Sequence, residues 1–392
     1  MFWQHFGSKF SIPHHRRIKS TPHTHSSRHV QGPHALSPKK QFPRSLVSPP
    51  YYTAITLALL LAHCLLAGAG DAQAAFTIQI NPGAGLSGNS AALEAFNRAA
   101  QEWSSRFAND VTVYVNADLS SGFGNPNTIG QAGPTAYTNL DLNLDYRIVR
   151  TALVAHGVAT GNEVLNYLPT TLTGMATAPS GSTIIGSTVG VLRANQRVLG
   201  LLDGSDERAD GEITFNSAFS FDYDRFDADG VAAGKMDFQT VAAHELGHIL
   251  GFLSDVDEFD AFYSETNLTT LDLFRFATAD APISFEEFQT TLREMRPGAA
   301  SVFSDSENAY AFSTGYYQGD GSQASHWKDD ALTGNLIGLM DPNLSYGAFR
   351  GVTDADLRAM ELIGYTLMAV PEPGRMLLLV IGMFTLVLGR RR

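Results

Sequence analysis

The spacing of apolar side chains predicts four helices in this chain. Apolar residues that recur every three or four positions lie on one face of a helix, which can then be buried. The stretches with this period are 87–107, 145–159, 237–252 and 353–365. Capping residues support two of the predicted starts: Asn89 or Ser90 in the first stretch, and Thr353 with Asp356, the positions of a capping box, in the last.

Alternation of apolar and polar residues predicts strands at 111–119 and 211–224. Residues 298–336 are rich in Gly, Ser, Asp and Tyr, a composition typical of long loops. Because the strands come early and helices flank them, we predict one domain over residues 75–367, of the α+β or α/β class, with a mixed sheet. An edge strand can pair with an extended peptide, and by analogy with such folds we assign that role to residues 211–217.

The first 74 residues are typical of a targeting segment rather than of a folded domain. Residues 1–52 hold eight Lys or Arg and no acidic residue, and lack apolar periodicity, which favours a disordered leader or a start codon assigned too early. Residues 53–74 contain an apolar run that ends in Ala72-Gln73-Ala74, the small-x-small pattern of a signal peptidase site. A membrane anchor is the alternative for this run.

The last segment, residues 368–392, combines three features. Pro371, Glu372 and Pro373 are followed by an apolar run and then by three arginines. This order resembles the PEP-CTERM sorting tail of Gram-negative bacteria. The resemblance implies recognition at the Pro-Glu-Pro motif, transient retention in the membrane and cleavage by an exosortase. A plain C-terminal anchor is the alternative, and it also gives an envelope protein.

The net charge of the predicted domain argues against nucleic acid as a partner. The chain carries −12 overall, but residues 75–370 hold 15 basic and 37 acidic residues, a net charge of −22. Such a surface repels nucleic acid, so we expect none as a partner. The only cysteine, Cys64, lies in the signal segment, so the exported domain has no disulfide.

The stretch VAAHELGHILGF contains a metal-binding pattern. His244 and His248 are four residues apart, which places both imidazoles on one face of the predicted helix. Glu245 lies beside the first histidine and can hold a water molecule on the ion and take its proton. Zn²⁺ fits two nitrogen ligands and a changing coordination number best. The alternative is a pair of buried histidines on a structural helix.

The third ligand has to come from elsewhere. Gly251 permits a sharp exit from the helix, but Ser254, in the place where many zinc proteases carry a third histidine, is a poor ligand. The domain holds two more histidines, His156 and His326, and the first of them ends an apolar helix. His326 and Asp257 therefore remain the candidates, with Asp255 and Glu265 weaker, and Asp257 can instead orient a ligand.

These motifs together resemble those of the metzincin zinc peptidases. The His-Glu-x-x-His-x-x-Gly pattern, a distant Ser-His-Trp at 325–327 and a Leu-Met-Asp-Pro turn at 339–342 carry the resemblance, and the distant histidine is similar to the leishmanolysin branch. The chain also resembles secreted bacterial proteins with PEP-CTERM tails and a HExxHxxGFxSxxD signature. It matches that signature at His244, Glu245, His248, Gly251, Phe252, Ser254 and Asp257.

The resemblance covers most of residues 75–367, loosely outside the motifs. It implies a metzincin-like fold with a twisted mixed sheet, the ligands His244, His248 and His326, Glu245 as general base, and a methionine turn at Met340 beneath the metal. Fourteen positions separate His326 from Met340, a wider spacing than the family leads us to expect.

Two further sites are candidates. Tyr346, shortly after the methionine turn, can donate to the oxyanion of a tetrahedral intermediate, although a structural role is equally open. Four aspartates offer a dense set of hard oxygen ligands that suits Ca²⁺, and a solvated acidic turn is the alternative. These aspartates are Asp222, Asp224, Asp227 and Asp229.

The sequence therefore predicts a secreted zinc endopeptidase that acts on polypeptides. It would be exported to the Gram-negative envelope or the medium with the help of a signal peptidase and an exosortase-type system. Two alternatives are a non-catalytic zinc protein of the biofilm matrix or cell surface, and a zinc hydrolase of non-peptide amides.

Overall fold

A computed structural model describes residues 76–135 and 142–369 of the 392-residue chain. The helices are α1 (Ala84–Ser87), α2 (Ser90–Ser104), α3 (Tyr146–Thr160), α4 (Arg193–Val198), α5 (Phe238–Ile249), α6 (Val256–Asp260), α7 (Phe285–Thr290), α8 (Asp330–Thr333) and α9 (Asp354–Leu362). Short 3₁₀ helices span Glu163–Tyr167, Leu271–Phe274 and Thr278–Asp280.

The strands of the described residues are two to nine residues long and are spread along the chain. They are β1 (Thr77–Pro82), β2 (Thr112–Ser120), β3 (Gly130–Pro134), β4 (Asn143–Asp145), β5 (Ala176–Thr177), β6 (Thr183–Gly190), β7 (Gly211–Asn216), β8 (Phe221–Asp222), β9 (Met236–Asp237), β10 (Glu265–Thr269), β11 (Arg275–Ala277), β12 (Arg293–Glu294), β13 (Ser301–Ser304) and β14 (Ala309–Ala311).

The four helices predicted from periodicity are confirmed as α2, α3, α5 and α9. Side-chain caps explain their starts: Asn89 accepts a hydrogen bond from the amide of Ala92, and Thr353 forms a capping box with Asp356. Such a cap stabilises a helix by about 1 kcal/mol. Local sequence therefore determines where these helices begin.

The strand predictions are confirmed in part. Residues 112–120 form β2, but the stretch 211–224 breaks after β7 and resumes only as the two-residue β8. The loop predicted at 298–336 is irregular over most of its length, but it contains β13 and β14, which pair with each other. These strands are three or four residues long, too short for an alternating pattern to show.

The main sheet has four strands in the order β1-β2-β7-β3. The first three are parallel, and β3 runs antiparallel to β7. Smaller sheets have the orders β10-β6-β4 and β14-β13-β11-β12-β5, and β8 pairs with β9. The α+β class with mixed sheets is confirmed. The prediction that residues 211–217 form an edge was wrong, because β7 lies between β2 and β3 and both of its sides are paired.

Helices α2 and α5 pack against each other and against the main sheet. Trp103 of α2 is fully buried, and its indole Nε1–H donates to the carbonyl of Ala243 at 2.8 Å. Phe96 of α2 meets Phe215 of β7 edge to face, with ring centroids 5.3 Å apart. This apolar layer holds α5, which carries the histidine pair, against the sheet.

A buried ion-pair network holds α4 beside the end of α5. Arg193 and Arg197 are both buried and reach the carboxylate of Asp210, with Arg197 Nε at 2.7 Å from Oδ2. Between the two arginines, the Asn195 amide donates to the carbonyl of Leu250 at 3.1 Å. The ion pairs therefore hold α4 in place, and the side-chain amide of Asn195 caps a carbonyl at the end of α5.

The predicted leader (1–52), signal peptide (53–74) and sorting motif (Pro371, Glu372, Pro373) lie outside the described residues. Within the described residues, no helix combines the length and the apolar character that a membrane span needs.

Candidate metal centre

Helix α5 carries two of the three histidines, and all twelve of its residues are buried. Its start is fixed by Asp237, whose carboxylate accepts from the amide of Thr240 at 3.0 Å and is paired with Arg225 at 2.7 Å. The helical repeat then places His244 and His248 on one face. Their Nε2 atoms lie 3.1 Å apart.

The chain leaves α5 through Gly251, which has a φ of +122°. A Cβ atom there would lie 2.7 Å from Nδ2 and 2.8 Å from Cγ of Asn195. Both the conformation and the lack of space therefore require glycine. The turn that follows brings the carbonyl of Phe252 to 2.8 Å from Nδ1 of His248.

His326 reaches the same point from a loop near the end of the domain. Its Nε2 lies 3.2 Å from Nε2 of His244, and the ring centroids of His248 and His326 are 4.9 Å apart. The ligand atoms of all three histidines lie within 4.8 Å of one another, so this buried cluster could hold a metal ion. The structure thus brings the distant histidine to the helical pair, as the sequence predicts.

The other ring nitrogen of each histidine faces a backbone carbonyl. Nδ1 of His244 lies 2.9 Å from the carbonyl of Leu339, that of His248 is 2.8 Å from Phe252 O, and that of His326 is 3.1 Å from Gln323 O. A carbonyl only accepts, so each Nδ1 carries the proton and each Nε2 carries the lone pair. Three lone pairs therefore point at one another.

Protonation does not remove the repulsion between these lone pairs near neutral pH. Burial lowers the pKa of His248 to about 4 and lowers the pKa of His244 and of His326 well below the usual value, so all three rings are neutral. A cation does relieve it: a tetrahedral ion about 2.05 Å from each nitrogen would hold the nitrogens roughly 3.3 Å apart. The spacing of 3.1–3.2 Å fits a three-nitrogen metal site.

Glu245 is 1% exposed and adjoins the histidines on α5. Within the described residues, no donor reaches its Oε1 atom. Gly130 of β3 lies against this oxygen, and a Cβ at residue 130 would approach Oε1 to 2.6 Å. Burial raises the pKa of Glu245 well above its usual value. A buried carboxylate without a partner marks a place for a polar ligand or a proton.

Met340 packs against α5 at Gly247. A Cβ atom at Gly247 would collide with Sδ of Met340 and lie 3.1 Å from its Cε. The preceding carbonyl, Leu339 O, accepts from His244, and Met340 O accepts from the amide of Trp327, which follows His326. The turn therefore connects two of the three histidines.

Asp356, at the start of α9, holds this turn. Its buried carboxylate accepts from the amide of Leu339 at 2.7 Å and from the indole of Trp327 at 2.8 Å. The sequence marked Asp356 only as a capping residue. Gly130 and Gly247 were not identified either, because the contacts that require glycine at both positions are made across the fold.

Asp257, the alternative third ligand, lies outside the histidine cluster. Its carboxylate accepts from the amides of Ala324 and Ser325, and it is not among the atoms of the metal-capable cluster. Burial raises the pKa of Asp257 to about 7, and these hydrogen bonds act in the opposite direction. Neither Asp255 nor Glu265 belongs to the cluster.

His156 contacts the carbonyl of Glu361 at 2.9 Å and does not belong to the histidine cluster. Tyr346 is 47% exposed, and its role as an oxyanion donor stays a prediction.

The calcium site at Asp222, Asp224, Asp227 and Asp229 stays a prediction. No three of the four aspartates bring their carboxylate oxygens within 4.8 Å of one another. Asp222, Asp224 and Asp227 each accept from the amide two residues ahead, so they stabilise turns of the acidic loop.

A second acidic group, Asp329, Asp330 and Asp341, lies near α8 and does meet the distance criterion for a metal. Arg350 offsets part of its charge, with its guanidinium 2.6 Å from Asp330 and 2.7 Å from Asp341. The sequence did not predict this group, because Asp341 approaches the other two only in the folded chain.

Comparisons with protein-family models, curated proteins and solved structures found no match for this chain.

Proposed function

We propose that this protein is a zinc-dependent endopeptidase with a metzincin-like fold. The observation that carries the proposal is the convergence of three neutral imidazoles beside the buried carboxylate of Glu245, with Nε2 of His244 3.1 Å from that of His248 and 3.2 Å from that of His326. Three nitrogen ligands leave a coordination position open, as in catalytic zinc sites. The turn at Met340 beneath the helix supports the metzincin assignment.

His244, His248 and His326 would hold the ion through Nε2. Bound Zn²⁺ would lower the pKa of water and polarise a scissile carbonyl. Glu245 accepts the proton of the attacking water at its carboxylate and later delivers a proton to the leaving amine. Burial suits this task, because a raised pKa brings the carboxylate nearer to the pH at which it works. Tyr346 remains our proposed donor to the oxyanion.

The substrate would lie along β3, which replaces 211–217 in this role. β3 is one of the two outer strands of the main sheet, and a Cβ at Gly130, its first residue, would lie 2.6 Å from Oε1 of Glu245. An extended polypeptide that pairs with an outer strand gains backbone hydrogen bonds along its length. Pairing on β3 would carry its peptide bonds past Glu245.

We also propose, from the sequence of the termini, that the protein is exported. The segment 53–74 would be removed by a signal peptidase, and the tail with Pro371-Glu372-Pro373 would be retained briefly in the membrane and cleaved by an exosortase.

The test is zinc content and casein cleavage by the full chain. Glu245→Gln should keep one Zn²⁺ per chain and lose about 10²–10⁴-fold in kcat, because the amide cannot accept the proton. His326→Ala should lose both metal and activity. Glu286→Gln, on the exposed α7, is the matched control and should behave as wild type.

Wild-type protein that binds zinc and cuts neither casein nor a peptide library would refute the peptidase. It would favour the zinc hydrolase of non-peptide amides if small amides are hydrolysed, and the non-catalytic matrix or surface protein if they are not.

A further inference from the structure

His326 has no helix or strand to fix its direction. The ring is oriented by a hydrogen bond to the carbonyl of Gln323, three residues earlier in the same loop. The position of Nε2 therefore depends on the conformation of residues 323–326, and something outside this loop has to hold it.

Asp257 holds this loop. Its Oδ1 accepts from the amide of Ala324 at 2.6 Å, and its Oδ2 accepts from the amide of Ser325 at 3.1 Å. The hydroxyl of Ser325 donates to the same Oδ2 at 2.5 Å. Three donors from the two residues that precede His326 thus occupy one carboxylate. Three hydrogen bonds to one carboxyl group leave this part of the loop little freedom to move.

The same hydroxyl connects the loop to the exit of α5. Since the proton of Ser325 goes to Asp257, its oxygen can accept, and the amide of Ser254 donates to it at 2.9 Å. The hydroxyl of Ser254 in turn donates to Asp272 at 2.6 Å. Ser254 lies two residues after Phe252, whose carbonyl orients His248. The relay Asp257–Ser325–Ser254–Asp272 therefore joins the loops that orient His248 and His326.

Arg275 supports the relay from the other side. Its buried guanidinium donates to the carbonyl of Ala324 at 3.2 Å and to that of Ser313 at 2.7 Å. The loop before His326 is thus held by the carboxyl group of Asp257 on its amides and by the guanidinium of Arg275 on one of its carbonyls.

We propose that Asp257 is a positioning residue for the third metal ligand, acting on His326 through Ser325 and joined by Ser254 to the loop of His248. This inference rests on the proposed function only in assuming that the three histidines bind a metal. Groups that orient a ligand of this kind typically change metal affinity by about 10–100-fold when they are altered.

The test measures the affinity of the full chain for Zn²⁺ by competition with a chromophoric chelator. Asp257→Asn should weaken binding by about 10–100-fold, and Ser325→Ala, the milder change, by about tenfold. If Asp257 acts through Ser325, the two losses should not add in the double variant. In the Co²⁺-loaded protein, both variants should shift the visible absorption bands, which report the ligand geometry.

The matched control is Asp305→Asn. Asp305 is also a buried carboxylate that accepts from two backbone amides, those of Glu307 and Asn308, but it contacts none of the loops that orient the histidines. It should keep wild-type affinity and the wild-type Co²⁺ spectrum, even if it loses stability.

Zinc affinities of Asp257→Asn and Ser325→Ala within twofold of wild type would overturn the positioning role. If Asp257→Asn does not fold, Ser325→Ala alone decides. Wild-type protein that binds no Zn²⁺ would overturn the proposed function and the positioning role together, so the two failures are distinguishable.

Discussion

Gly247, on the same helix as His244 and His248, has no space for a side chain. A Cβ at this position would collide with Sδ of Met340 and would lie 3.1 Å from its Cε and 3.3 Å from Cζ2 of Trp103. Both neighbours are fully buried, so neither can swing into solvent. Gly247→Ala therefore has to displace the methionine turn.

Two effects of opposite sign set the size of the change. Alanine in the middle of a helix is more stable than glycine by about 1 kcal/mol. Overpacking a filled core costs about 1–3 kcal/mol. We expect a net loss of about 0–2 kcal/mol in the free energy of unfolding.

The packing explanation makes a sharper prediction in a second background. Met340→Ala removes the side chain that the new Cβ would meet, at the expense of a cavity. In that background Gly247→Ala should be neutral or stabilise the protein by up to about 1 kcal/mol, because only the helical preference remains.

The assay is urea unfolding of the four proteins of this cycle in EDTA, so that metal binding does not contribute to stability. Equal destabilisation by Gly247→Ala with Met340 and with Ala at position 340 would refute the reasoning, because the cost would then not arise from this contact.

Two further predictions concern the chemistry of the site. Gly130→Ala should lower kcat roughly tenfold with Zn²⁺ retained, because the new Cβ would displace the Glu245 carboxylate and a 1 Å error in position can cost about 10²-fold. The control is Gly124→Ala, whose Cβ meets nothing within 4 Å. Equal kcat values for the two variants would contradict the contact between residue 130 and Glu245. Metal-free protein should lose about 2 kcal/mol from His248 between pH 8 and pH 5, because its pKa is about 4 when folded and about 6.5 when unfolded, so the unfolded chain binds the extra proton as the pH falls. Urea unfolding at both values should show a correspondingly flatter pH dependence for His248→Gln, and parallel curves would contradict the burial effect.

Local patterns predicted the parts of this molecule that depend on local interactions. The caps at Asn89 and Thr353 and the four-residue spacing of His244 and His248 act within one or two helical turns, so the sequence shows them directly. The count of histidines left His326 and Asp257 open as the third ligand, and His326 was favoured only by the resemblance to the metzincins.

Contacts between distant segments account for the failures. β3 reads Gly-Gln-Ala-Gly-Pro, with no β-branched or aromatic residue, and it is a strand because it pairs with β7. Helix α4 looks polar and exposed, but Asp210 lets its arginines be buried.

The three histidines also differ in how much of the fold each one needs. Helical geometry alone sets the spacing of His244 and His248, but the direction of every ring depends on a carbonyl in an irregular segment. Hydrogen bonds to a carboxylate steady each of those segments: Asp356 the turn at Leu339, Asp272 the exit of α5, and Asp257 the loop before His326.

Lone pairs that face one another at 3.1–3.2 Å repel, and rings without such restraints would turn away from the centre. The carboxylates hold the rings against this repulsion, so the fold itself prepares the site for a cation. A His-Glu-x-x-His helix therefore contains only part of the information that makes the site, and the remainder lies in polar residues whose separate positions in the sequence give no sign of a shared role.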